Sequence, residues 1–302
     1  MSISKILCPI DFSDVSLEGM RFAKGTAKKF NALLVLMHVT HDLFHGEKSD
    51  PYYTESLTSF VDEYSRLTRL KNELTDVKAT VHHCLGNPAK EIVNYAQQEK
   101  CDLIVLGSHG RSGIQKMVLG SVAENVAQNA QTNTLIVKKT EAFHEDQAVT
   151  NDQQQTVVVP FDFTDASVKA LSAAADFAGD PKRVYAVHVC PSDCEAEREE
   201  IEASFRTKFY ESYCPAELKT AQFQTCFHSQ IAQQIRQFAE EKQARLIVLP
   251  HNQKSFLQRF FLGSVALDIL KKSPCPTLIL KSDHPLENLA ASASDTPKSV
   301  AP

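Results

Sequence analysis

The chain has 302 residues, more than one compact domain of ordinary size needs, so two domains are expected. Its composition, 43% hydrophobic and 23% charged with a formal net charge of −5, is that of a globular protein and excludes a general nucleic-acid footprint. The N-terminal MSISKILCPIDFS has no apolar signal core, and no apolar run approaches a membrane span, so a cytoplasmic protein with eight reduced cysteines is expected.

Ser4–Ile10 (SKILCPI) is a short apolar run that reads as a buried parallel strand. Asp11, Ser13 and Asp14 follow it, residue types that cap a helix start, and Met20, Ala23 and Ala27 then recur at helical spacing. Leu33–Val39 (LLVLMHV) is a second strand. Pro51–Leu74 reads as a helix with Leu57, Phe60, Tyr64 and Leu67 on one face. Asp76–Leu85 is a third strand, more polar and nearer an edge. Asn87-Pro88 opens a helix with Ala89, Ile92, Val93 and Ala96 on one stripe. Asp102–Leu106 (DLIVL) is a fourth strand, Ser121–Ala130 a further helix and Thr134–Lys138 (TLIVK) a fifth strand. Alternating strands and helices imply a parallel sheet covered on both faces.

Between the fourth strand and its helix lies Gly107–Val122 (GSHGRSGIQKMVLGSV). Glycines let a backbone approach a ligand closely, and amides at a helix start attract anions. Ser121 is expected at the N-cap, as an added hydroxyl donor. Taken alone, such a stretch is either a phosphate cradle or a turn.

Glu141–Gln155 is polar and reads as a linker, after which the pattern begins again. Thr156–Phe163 (TVVVPFDF) repeats Ile6–Phe12 (ILCPIDF), His188-Val189 repeats His38-Val39, and Leu246–Leu249 repeats Leu103–Leu106. Gly263-Ser264 repeats Gly120-Ser121, and Thr277–Lys281 (TLILK) repeats Thr134–Lys138. Five landmarks in constant order mean two tandem copies of one domain. The expected layout is domain 1 over 1–140, a linker over 141–155, domain 2 over 156–282, and a disordered tail over 283–302 rich in Ala, Ser, Asp and Pro.

In an open parallel sheet, ligands bind beyond the carboxyl ends of the strands where strand order reverses. The first and fourth strands are neighbours in the common order. Pro9, Ile10 and Asp11 would then face Gly107–Gly110, with Val39 lining the same crevice. An apolar wall, a carboxylate and a glycine-lined cradle suit a mononucleotide, although Asp11 also suits an N-cap.

The combination of Pro9-x-Asp11, His38-Val39, Gly86-Asn87-Pro88-Ala89 and Gly107-x2-Gly110-x9-Gly120-Ser121-Val122 resembles the universal stress protein family, in tandem form, over both halves of the chain. The resemblance implies two flavodoxin-like (adenine nucleotide alpha hydrolase-like) α/β domains, each a five-stranded parallel sheet with helices on both faces. It also implies ATP binding where these glycines occur. Carried over by motif, Pro9, Asp11 and Val39 would surround adenine and ribose. Leu106, Gly107, Gly110, Gly120, Ser121 and Val122 would hold ribose and phosphates. Arg111 either reaches the terminal phosphates or stands in solvent. The resemblance further implies pairing of domains through their fifth strands, which a tandem chain can satisfy internally; a homodimer is left open.

The second copy departs from the pattern. Pro250 stands where Gly107 stood, Gln253 where Gly110 stood, and Ser229 replaces Gly86. Proline has no N–H to donate. ATP, with or without Mg, is therefore expected in domain 1 and no cofactor in domain 2; Lys254, Arg259 and His251 either bind another anion or, the favoured reading, are scattered surface charge. No G-x-x-x-x-G-K-[ST] loop is present, so catalysis would amount at most to slow ATP hydrolysis or autophosphorylation. The expected function is nucleotide-dependent sensing or regulation through conformation or a protein partner, without nucleic acid or membrane. The alternative is a scaffold, or a binder of a non-nucleotide ligand, that uses the degenerate second domain or the groove between domains.

Overall fold

A computed structural model describes residues 2–41, 51–108, 119–138, 155–190, 198–251 and 262–281, with side chains of the second helix from residue 58. In the first half β1 (Lys5–Pro9), α1 (Asp14–Phe30), β2 (Leu33–His41), α2 (Pro51–Asn72), β3 (Ala79–Gly86), α3 (Pro88–Gln98), β4 (Leu103–Gly107), α4 (Ser121–Asn129) and β5 (Asn133–Val137) follow in order. The second half repeats them as β6 (Val157–Pro160), α5 (Asp165–Ala178), β7 (Val184–Cys190), α6 (Arg198–Lys208), β8 (Gln222–Phe227), α7 (Ile231–Glu241), β9 (Leu246–His251), α8 (Ser264–Lys272) and β10 (Thr277–Lys281).

Strand order is β3-β2-β1-β4-β5-β10-β9-β6-β7-β8, one continuous sheet of ten. Within each half all pairings are parallel; only β5 and β10 run antiparallel, with Leu135 opposite Leu278. The two fifth strands thus cover each other's edges, which would otherwise present unpaired backbone groups. Asn133 Oδ1 accepts the Lys281 amide at 2.9 Å, Lys281 Nζ donates to Ala127 O at 2.9 Å, and Lys29 Nζ donates to Phe177 O at 2.7 Å. These polar contacts tie the halves together around the apolar seam.

The central strands are buried on both faces because most of their positions are apolar. Ile6 and Cys8 pack with Phe22 of α1, Leu67 of α2 and Leu171 of α5 on one face. Leu7 packs on the other face with Ile92 of α3, Val126 of α4 and Ile269 of α8. The crossover into α1 is built by Ser13, whose hydroxyl accepts from the Ser16 amide, and the helix ends on Asn31 in a left-handed conformation. Asp102 is buried at the start of β4 and accepts from Ser4 N, Ser4 Oγ and Lys5 N, which locks the first and fourth strands side by side.

Three local expectations are corrected. The third strand begins at Ala79; Asp76 instead pairs with Lys24 at 2.8 Å outside the sheet. Tyr64 is 47% exposed, because the inward face of α2 runs through Phe60, Glu63 and Leu67. Ser121 is the first helical residue of α4 and not its N-cap; Gly120 holds that position with no side-chain bond. Leu57, most of the expected linker, and the expected tail lie outside the described residues. Among the described residues no helix is long and apolar enough to cross a membrane.

Candidate functional site

At the carboxyl ends of β1, β2 and β4 lies a cavity of about 300 Å³. That is the lower end of the range for small-molecule sites. Pro9, Asp11, Val39, Leu106, Gly107, Gly120, Ser121 and Val122 all line it. Gly110 and Arg111, with His109, lie outside the described residues. The strand pairing accounts for the convergence: β1 is hydrogen-bonded to both β2 and β4, so their ends share one rim.

Each wall has its own chemistry. Pro9, Ile10, Met37, Val39, Ile92 and Leu106 make an apolar shelf. Asp11 supplies a half-buried carboxylate whose Oδ1 accepts from Ser13 N at 3.0 Å and Ser13 Oγ at 2.6 Å. The next residue, Phe12, has φ of 63°, a left-handed conformation that costs a non-glycine residue roughly 1–2 kcal/mol. Its ring is held 4.7 Å from the His38 ring and carries the Arg66 guanidinium 4.0 Å from its centroid. These contacts hold the sharp turn that leaves Asp11 on the rim.

Opposite stands the start of α4. Gly120 N donates to Ser108 O at 2.6 Å, and Ser108 N donates to Val137 O at 2.7 Å, so both ends of the glycine-rich stretch are pinned to the sheet. The first intrahelical bond of α4 is Glu124 N to Gly120 O. The amides of Ser121, Val122 and Ala123 precede it, have no intrahelical acceptor, and belong to residues that line the cavity. The positive end of the helix dipole adds to them, an arrangement suited to an anion.

Gly107 has a packing reason of its own. A Cβ there would lie 2.8 Å from the carbonyl carbon and oxygen of Val15, at the first turn of α1. Neither Gly107 nor Gly120 has positive φ, so close approach and not turning is what Gly107 supplies. Packing against α1 is thus one reason for a glycine at this position. Sequence reasoning did not place Ser16, Met37, His38, Pro88, Ile92 and Ala123 on the lining. Met37 and Ile92 looked like core, being apolar residues of a strand and a helical stripe.

The second half keeps the frame and changes the lining. Asp162 accepts from Thr164 N at 3.2 Å and Thr164 Oγ1 at 2.5 Å, as Asp11 does from Ser13. Gly263 caps α8. Pro250 lies within β9, opposite Leu280, and removes one backbone donor at the strand end. His251 is buried in the sheet, which corrects its reading as surface charge. Gln253, Lys254 and Arg259 lie outside the described residues.

The model of the Universal stress protein family matches the chain twice, over residues 2–138 and 154–281. A universal stress protein of Methanocaldococcus jannaschii is 39% identical over 139 residues, 45% of this chain and 82% of that protein. One of Bacillus subtilis is 32% identical over 146 residues, 45% of this chain and 99% of the other. The solved structure of a universal stress protein from Archaeoglobus fulgidus aligns over 92% of this chain and 96% of its own, with a TM-score of 0.63 at 21% identity, a likeness of fold. The chain therefore belongs to the universal stress protein family, as a member with two tandem copies of the fold.

Proposed function

We propose that the chain is a nucleotide-dependent regulator that binds one ATP, with or without Mg, in the first-half cavity. The observation that carries this reading is that cavity itself. One rim joins an apolar shelf, the Asp11 carboxylate and the free amides of α4. The shelf at Val39 and Pro9 accepts the adenine ring. Asp11 accepts from ribose hydroxyls. Gly107, Gly110, Gly120, Ser121 and Val122 are assigned to the phosphates, and Arg111 to their terminal end. Leu106 borders the ribose. The second half, with Pro250 at the corresponding strand end, leaves its own crevice without nucleotide. We assign the first domain to 1–140 and the second to 156–282, working in the cytoplasm.

The sequence has no G-x-x-x-x-G-K-[ST] loop, and output through conformation or a partner contact is the reading put forward. Calorimetric titration of the purified chain with ATP, beside nucleotide extraction and mass spectrometry, tests this. One equivalent per chain is expected, with a loss of at least ~10-fold in affinity for Asp11→Ala, the cost of one charged hydrogen bond. Two equivalent sites, no site, or turnover above ~1 s⁻¹ would contradict the reading.

A further inference from the structure

At the α2 side of the cavity, which His38 also lines, three side chains converge. We propose that His38, Glu63 and His83 form a binding site for a zinc-type divalent cation that clamps α2 to β2 and β3. Neither the fold nor the nucleotide reading requires these three groups to meet. His38 and His83 stand directly opposite each other in the register of β2 and β3, and α2 lays Glu63 across them. His38 Nε2 is 3.3 Å and His83 Nε2 3.8 Å from the same carboxylate oxygen, Glu63 Oε2, and all three ligand atoms lie within 4.8 Å of one another. Ligands at about 2.0–2.1 Å around a tetrahedral zinc stand roughly 3.3–3.5 Å apart. The observed triangle needs only a small contraction.

The hydrogen bonds select the ligand form. His38 Nδ1 lies 2.6 Å from Ile10 O, and a carbonyl can only accept, so this nitrogen carries the proton. Neutral His38 then directs the bare lone pair of Nε2 toward a carboxylate, itself only an acceptor. Nε2 has no hydrogen-bond partner, and the side chain is 7% exposed. Two lone-pair bearers at 3.3 Å need a cation between them. A proton could serve one imidazole, but a second imidazole, with a side chain 2% exposed, approaches the same oxygen. A histidine that donates its other nitrogen to a carbonyl is the usual orientation of a metal ligand. Thr40 Oγ1 stands between two of the groups, 2.5 Å from Glu63 Oε2 and 2.8 Å from His83 Nε2, so a cation would take over from this hydroxyl at the histidine while the hydroxyl keeps its bond to the carboxylate. Phe60 stacks on His83 at 3.8 Å and screens the group from water. Two imidazoles and one carboxylate suit zinc, cobalt or nickel, with a fourth position for water.

The second half supplies a control within the same chain. His188 Nδ1 makes the same contact with Phe161 O, at 2.8 Å. There, however, Thr225 occupies the register position of His83, and Phe205 lies 4.6 Å from the His188 ring. Among the described residues the carbonyl contact thus forms with no ion pair or second histidine at that ring, so Glu63 and His83 are not there to hold the imidazole in place.

The test is titration of the chelator-treated full chain with Co²⁺, followed by zinc competition. Wild type is expected to take one equivalent, with visible d–d bands and without the charge-transfer band of a cysteine thiolate. Glu63→Gln and His83→Thr, the second a residue that the other half carries at this register position, should each weaken binding at least ~100-fold. Melting temperature in chelator checks that both variants fold. Added zinc should raise it in wild type only. A chain that binds no Co²⁺, or binds it only through thiolate, overturns the site and leaves a protonated His38–Glu63 ion pair. So does full affinity in both variants. None of these readouts involves nucleotide, so failure here and failure of the ATP reading are separable.

Discussion

The ends of β2 and β7 place the same histidine on the same carbonyl, His38 on Ile10 and His188 on Phe161, yet the two neighbourhoods have diverged into different chemistry. Around His38 stand Glu63, His83 and Thr40. Around His188 stand Phe163 and Phe205, and the rings of Phe161, Phe209, Tyr213 and Phe223 extend the group. Both halves also put a phenylalanine in left-handed conformation after the first strand, Phe12 at 63° and Phe163 at 59°. The frame therefore demands the turn, the ring and the imidazole. What the third strand and second helix add is where the halves became different: one is polar and converging, the other is a hydrophobic core.

Substitutions can break this comparison in graded steps. The largest effect is expected at Phe209, which is fully buried with ring partners Phe161 at 5.1 Å and Phe223 at 4.6 Å. Phe209→Ala should cost about 3–5 kcal/mol by denaturant unfolding, whereas Phe60→Ala, on a half-buried stack, should cost clearly less. Equal losses would show that the two clusters support their halves alike.

Next comes Gly107→Ala. A new Cβ would meet Val15 backbone at 2.8 Å, and backbone cannot rotate away as a side chain can, so about 1–3 kcal/mol is expected. Gly263→Ala, in the other half, meets nothing within 4 Å and should be close to neutral. A neutral Gly107→Ala would mean that α1 shifts freely.

Alkaline titration gives a smaller, pH-limited effect. Burial pushes the thiols of Cys101 and Cys275 up to about 12, from 9.0 for an exposed thiol. Between those values the unfolded chain releases protons that the folded chain keeps, so stability falls as pH rises above 9. Cys275→Ala should gain on wild type across that window in melting temperature against pH. Burial lowers Lys281 to about 8 from 10.5, which gives the opposite sign. Its burial penalty is fully present below pH 8 and disappears by 10.5. Any advantage of Lys281→Met over wild type should therefore shrink through that range.

The smallest effect is expected at the seam. Lys271 and Glu124 pair at 3.1 Å between the halves, but both side chains are about a third exposed. Lys271→Ala should cost less than about 1 kcal/mol and lose that difference in high salt. A larger loss would show that the halves are held together by charge more than by the β5–β10 pairing.

Much of the architecture was legible in the residues. Continuous apolar runs such as DLIVL and TLIVK can only be strands buried on both faces, and the helical stripes between them required parallel pairing. Pro9, Asp11, Val39 and Leu106 could be brought to one rim because strand ends in such a sheet are ordered by its topology. Gly107 was legible as a place of close approach, but not what approaches it: the partner is the backbone of Val15, ninety-two residues earlier in the chain. Ser121 was misread by one position, since Gly120 can cap through its backbone conformation alone.

By itself, then, the sequence determined two copies of one fold and part of the cavity lining, because continuous apolar runs and helical stripes are local properties of the chain. Tertiary structure alone decided three things. It set the antiparallel direction and register of the β5–β10 seam, the left-handed turn at Phe12, and the meeting of His38, Glu63 and His83. Each depends on register between distant segments. The pairing of His38 with His83, and the angle at which α2 crosses them, leave no trace in residue spacing, since the segments between could be lengthened or shortened without changing who meets whom.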